Sequence, residues 1–333
     1  MREESNIDEN IYLETYRPKF TLTDHDIHII ECACSNDSKY MISASTDNQL
    51  RIWNLSKRRC VDMIYVDNLK GCTYSNDNKY IVSYGIGGNI DFWLTRTHKH
   101  VKNINIDDAW IYSCSFSHDN LRMISCGIST PLTIWDLNKI AADEFLIKLD
   151  NKMLSNHDLV IKHDIKDSAN NLQCIYAKDN KYIVHVTTDS QIIIRNASNF
   201  DLIDVIETLP IEDNKEAVPR LSNNSKYLVH IDKDKDSVAV ISSFNGYNKL
   251  KMEKLIALQE CCITAFCFTN DSKYLIIIQD YLLTLVELET YEIIKTIICL
   301  DKVRTCLATS DGKSLIMYST DRMSLYDLPF LIS

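Results

Sequence analysis

Ser35-Asn36-Asp37-Ser38-Lys39-Tyr40 is the stretch that organises the chain. Near-copies stand at Ser75-Asn76-Asp77-Asn78-Lys79-Tyr80, Ser117-His118-Asp119-Asn120-Leu121-Arg122 and Ala177-Lys178-Asp179-Asn180-Lys181-Tyr182. Three more follow at Ser222-Asn223-Asn224-Ser225-Lys226-Tyr227, Thr269-Asn270-Asp271-Ser272-Lys273-Tyr274 and Thr309-Ser310-Asp311-Gly312-Lys313-Ser314. Asn and Asp bond their own backbone and tolerate left-handed φ/ψ, as a tight turn requires. Apolar runs of strand length flank the turns, as Ile29–Cys34 and Tyr40–Ile42 do around the first.

From Ser35 through Ser75, Ser117, Ala177, Ser222 and Thr269 to Thr309 the steps are 40, 42, 60, 45, 47 and 40 residues. A step near 40 with four short strands marks a propeller blade. The expected fold is therefore all-β: a seven-bladed propeller of four-stranded antiparallel blades, spanning 14–329 behind a polar tail at 1–13. After Leu325-Tyr326-Asp327-Leu328 only five residues remain, too few for another strand. A segment within Glu14–Leu22 is expected to supply the outer strand of the last blade, closing the ring and removing its open edge. The step of 60 hides an insertion near 138–167, expected between blades three and four, where long loops can dock partners.

Blade one carries the fullest set of polar markers: His25 ten residues before Ser35, then Ser43, Asp47 and Trp53. Here the chain resembles the WD-repeat family, over about Glu14 to Leu328, with Trp53, Trp93 and Trp135 each closing a third strand. The resemblance implies a hydrogen-bonded tetrad of His25, Ser43, Asp47 and Trp53 that stiffens the blade. Later blades depart from it. Blade two has Tyr65 and Gly87 at the His and Asp positions, blade four has Arg195 in place of Trp, and blades five to seven lack the Trp.

A formal charge of −10 argues against non-specific nucleic-acid binding. Met1-Arg2-Glu3-Glu4-Ser5 has no apolar core of a signal peptide, and no apolar run is long enough to span a membrane as a helix. Of the twelve cysteines, Cys32, Cys72, Cys114, Cys174 and Cys306 each lie three residues before a turn. They read as small strand hydrophobes that stay unbridged in a reducing, cytoplasmic setting, rather than as a thiol ring for a soft metal. No Gly-rich phosphate loop, CxxC or HExxH pattern occurs. His157-Asp158, His163-Asp164, His98 and His100 read as solvated polar residues before metal ligands. Neither a cofactor nor a catalytic set is expected.

Charge placement is more informative. The loops between blades collect Asp24, Asp107 and Asp108 beside Trp110, among many other acids; the opposite turns of blades one and two collect Lys57, Arg58, Arg59, Arg96, Lys99 and Lys102. An acidic face would attract a basic protein segment and speed its docking. Arg195 reads as a snorkelling replacement for Trp or as a contact residue. The expected function is a non-catalytic scaffold, a monomeric subunit of an intracellular hetero-complex that binds other proteins. The alternatives are an enzyme using the central channel, and an RNA- or ribosome-associated propeller using the basic patch.

Overall fold

A computed structural model of the chain describes residues 14–15, 17–23, 25, 27–137, 163–165, 170–209, 218–244, 250–258, 262–320 and 322–332. Two short strands come first, β1 (Glu14–Thr15) and β2 (Phe20–Leu22). Blade one is β3 (Ile29–Cys34), β4 (Tyr40–Ser45), β5 (Gln49–Asn54) and β6 (Arg59–Tyr65). Blade two is β7 (Leu69–Tyr74), β8 (Tyr80–Gly85), β9 (Asn89–Leu94) and β10 (His100–Asn105). Blade three is β11 (Trp110–Phe116), β12 (Arg122–Ile128), β13 (Thr130–Asp136) and β14 (His163–Ile165). Blade four is β15 (Asn171–Tyr176), β16 (Tyr182–Thr187), β17 (Gln191–Asn196) and β18 (Leu202–Glu207). Blade five is β19 (Arg220–Leu221), β20 (Tyr227–Ile231), β21 (Val238–Phe244) and β22 (Leu250–Ala257). Blade six is β23 (Ala265–Phe268), β24 (Tyr274–Gln279), β25 (Leu282–Glu287) and β26 (Ile293–Ile298). Blade seven is β27 (Thr305–Ala308), β28 (Ser314–Tyr318) and β29 (Met323–Asp327), completed by β2. A short helix, α1 (Leu328–Ile332), follows.

These are the seven antiparallel blades of a β-propeller, with the expected strand exchange at the last. Phe20, Thr21 and Leu22 pair with Leu325, Ser324 and Met323. Pro18 precedes the strand, where its missing N–H costs no ladder bond. The sequence held no sign of β1, which pairs in parallel with β26 as a fifth strand on blade six. The insertion also differs from expectation. His163–Ile165 pairs with Leu132–Ile134 as the outer strand of blade three, so the long segment lies inside that blade and not after it. His163 and Asp164 are strand residues, correcting their reading as loop; His157 and Asp158 lie outside the described residues.

The chain divides into two compact units. One comprises residues 30–189 and 193–202; the other comprises 1–29, 190–192 and 203–333. In the first unit, apolar side chains fill the spaces between consecutive blades. Ile42, Leu50 and Ile52 of blade one pack with Cys72, Tyr74 and Ile81 of blade two, and Phe92 with Ile111 and Met123 of blade three. Ile124 and Ile134 meet Cys174 and Ile183. In the second unit, Val229 and Ile241 pack with Phe266 and Ile277, and Ile276 and Leu285 with Leu315 and Tyr326. Each such fully buried Ile or Leu contributes roughly 1.5–3 kcal/mol.

The repeated turn explains the period. Ser35 Oγ donates to Asp37 Oδ1 at 2.7 Å and accepts from the Tyr40 N–H at 3.0 Å, while Lys39 N–H donates to Asp37 Oδ1 at 3.1 Å. The next residue position is left-handed in every copy, with φ of 56° at Ser38, 59° at Asn78, 57° at Asn120 and Asn180, and 68° at Gly312. These turns also join blades. In the first unit, Asn36 N–H donates to Asn78 Oδ1 and Asn36 Nδ2 to Asn76 O, both at 2.6 Å. Asn76 repeats the pattern on Asn120 Oδ1 and Ser117 O, and His118 N–H donates to Asn180 Oδ1. In the second unit, Asn223 reaches Asn270, and Asn270 reaches Ser310 O. One residue type at one turn position thus serves both hairpin and neighbour.

The described cysteines are free thiols. Cys72, Cys114, Cys174 and Cys306 are buried and Cys32 is half-buried. Burial pushes the Cys114 and Cys126 thiols up, with nearby Cys174 adding to both. Cys174 Sγ itself donates to Ser113 O at 3.4 Å.

Candidate interaction surfaces

Within the blades, a Trp–Ser couple recurs. The indole N–H of Trp53 donates to Ser43 Oγ at 2.8 Å, that of Trp93 to Ser83 at 2.9 Å and that of Trp135 to Ser125 at 2.9 Å. Ser43 and Trp53 are wholly buried and His25 is buried. Asp47 accepts from the Gln49 N–H at 2.9 Å, tying down the β4–β5 turn.

Blade four replaces the couple. His185 occupies the Ser position and Arg195 the Trp position, each by its distance from the blade's turn. His185 is fully buried, with its Nδ1 2.7 Å from Asn171 Oδ1. Burial, with the Arg195 charge second, lowers its pKa to about 3, so the ring stays neutral at pH 7. Arg195 reaches Phe200 O at 3.2 Å and is half-buried. That bond holds its guanidinium within the blade.

A half-buried acid clamps blades one and two together. Glu31 Oε2 accepts from the Tyr84 hydroxyl at 2.6 Å and from the Cys72 N–H at 3.0 Å. Gly71 makes room, since a Cβ there would stand 2.2 Å from Glu31 Oε2 and 2.4 Å from Tyr84. Nothing in the repeat pattern points to this clamp; the glycine at 71, in a strand, is the one sequence mark of the close approach.

Asp107 and Asp108 are exposed in the loop between β10 and β11, Asp108 with φ 57°. Trp110 opens β11, 44% exposed, and bridges to Ile86 through its backbone. Asp24 lies outside the described residues. Elsewhere the loop acids meet bases: Asp280 contacts Lys302 at 3.1 Å, and Asp301 contacts Arg322 at 3.5 Å.

Lys57, Arg58 and Arg59 are exposed at the β5–β6 turn, and Arg96 and Lys99 at the β9–β10 turn. Lys102 is half-buried on β10. Between these two turns runs an inter-blade link, His98 Nδ1 to Asp62 Oδ2 at 2.5 Å. The hydrogen bond from His98 holds the Asp62 carboxyl below its ordinary range. His100 contacts Asp91 Oδ1 at 2.7 Å and packs edge-on against Trp93, so both histidines are bound to carboxylates. Among the described residues no group of three or more His, Cys, Asp or Glu could hold a metal ion, and no helix is long and apolar enough to cross a membrane.

Residues 16–54 match the family described as WD domain, G-beta repeat. Comparison with curated proteins yields no match. Solved structures match widely, 1788 chains in all, so the likeness belongs to the fold rather than to one partner. Among them is the β-propeller domain of Cps50 (Swd1) from Myceliophteria thermophila, 12% identical with a TM-score of 0.74. The match covers 93% of this chain and 99% of that one. The chain is a seven-bladed β-propeller, and the stretch that matches the WD-repeat model runs from β2 of blade seven through the first three strands of blade one.

Proposed function

We propose that this chain is a non-catalytic interaction platform, one subunit of a larger hetero-complex in a reducing, cytoplasmic setting. The observation that carries the reading is the stitching of turn to turn within each unit. Asn36, Asn76, Asn223 and Asn270 each donate to the following blade. Loops mounted on blades fixed in this way keep their separations before a partner arrives, which lowers the ordering cost of binding. Glu31, a carboxylate on the first strand of blade one, is engaged by Tyr84 and Cys72, which supports a structural role for it.

The contact assigned to partners is the blade two–three loop. Asp107 and Asp108 supply charge to steer a basic protein segment, and Trp110 supplies an exposed aromatic anchor. Native pull-down at low and raised salt tests this. A stable set of partners is expected, lost from a variant carrying Asp107→Lys and Asp108→Lys that keeps its melting temperature. A chain that runs alone at every salt concentration would overturn the platform reading.

A further inference from the structure

The stitching is interrupted in the first unit. At the second turn position, where Asn36 and Asn76 donate side-chain bonds to the next blade, blades three and four carry His118 and Lys178. At this turn position blade three reaches blade four only through its backbone, His118 N–H donating to Asn180 Oδ1 at 2.7 Å. Both side chains are thus released from the stitch, and both line one cavity of about 170 Å³ over the inner strands of blades two to four.

The cavity wall also includes Thr73, Asn76, Ser115 and Tyr176, and no carboxylate. Ser115 Oγ accepts from the Tyr176 N–H at 3.0 Å, which leaves its own hydroxyl hydrogen to donate. Lys178 has no ion-pair partner among the described residues. The residue is exposed, yet surrounding protein desolvates its ammonium enough to lower its pKa. A group in that position sits in a concavity, and an anion placed beside it gains more than on an open surface.

We infer that this cavity is an oxyanion site that takes the side-chain carboxylate of an acidic protein segment, held by Lys178, His118 and Ser115. One ammonium beside an imidazole and a hydroxyl matches a singly charged carboxylate. The wall offers no guanidinium fork, the feature that would favour a doubly charged phosphate. The site is separate from the Asp107–Trp110 loop and does not depend on that loop's having a partner.

The test uses the full chain, a fluorescent hexaglutamate peptide followed by anisotropy, and inorganic phosphate followed by calorimetry, all at constant ionic strength. Saturable peptide binding is expected. Lys178→Asn should weaken it by about tenfold or more, and His118→Asn by a smaller factor. Asn is the residue that other turns already carry there, so both variants should fold; circular dichroism checks this, and Lys178→Gln repeats the charge loss at similar length. Absence of saturable peptide binding, equal binding by the Lys178 variants, or binding of phosphate without the peptide would each overturn the inference.

Discussion

Replacing Ser43 with Ala removes the acceptor of the Trp53 indole N–H and nothing larger than one oxygen. Donor and acceptor residues are both wholly buried, so water cannot replace the lost partner. An orphaned buried donor costs about 1–3 kcal/mol, and about 2 is expected here. Ser83→Ala makes the same chemical change in blade two, where the bond is 2.9 Å long but Trp93 is half-buried. Solvent can partly satisfy that indole, so about 0.5–1 kcal/mol is expected. Ser125→Ala in blade three should behave as Ser43→Ala, because Ser125 and Trp135 are both buried. Equilibrium urea unfolding followed by far-ultraviolet circular dichroism measures all three. If Ser83→Ala proves as costly as Ser43→Ala, burial does not set the cost and the reasoning fails.

Two further outcomes are expected. Gly312→Asn should be neutral to mildly stabilising, by no more than about 0.5 kcal/mol: the left-handed φ of 68° strains a residue with a Cβ, but the site has room, Asn tolerates that state, and Asn at this turn position elsewhere accepts a bond from the preceding blade. Thermal unfolding would show it, and a lowered melting temperature would count against the proposed role of that position. His185 remains neutral in the folded state down to about pH 3, whereas the unfolded ring protonates near pH 6.5. Its contribution to stability is full above pH 6.5 and declines as pH falls towards 3, by about 1.4 kcal/mol per pH unit. His185→Gln should therefore flatten the fall in urea midpoint between pH 6.5 and 4.5; an unchanged slope would assign the acid sensitivity elsewhere.

The blades were legible because a turn that needs a left-handed residue can be built from few residue types, and its spacing survives where the Trp does not. Asn78, Ser225 and Gly312 differ chemically but share one backbone state. What Asn36 and Asn76 do for the next blade was not legible, since recurrence reveals a repeated position and not the atom it reaches. β1 escaped notice because two residues pairing with another blade's edge leave no periodic mark. His163 was misread because a long segment before a three-residue strand hides the blade's own outer edge. Arg195 could be placed from sequence as the Trp replacement. Its companion His185 emerged only when blade one and blade four were compared position by position.

The exchange of β2 into blade seven has a consequence for synthesis. Phe20 emerges from the ribosome early, but its partner Leu325 is made 305 residues later. β2 therefore waits without its partner while the strands of blades one to six are made. Throughout that interval β2 is an unsatisfied strand, able to pair with the β29 edge of another copy. Closing so long a loop is entropically little worse than closing one half its length, but it is late. Crowded polysomes, rather than the finished protein, are where strand swapping between copies would arise.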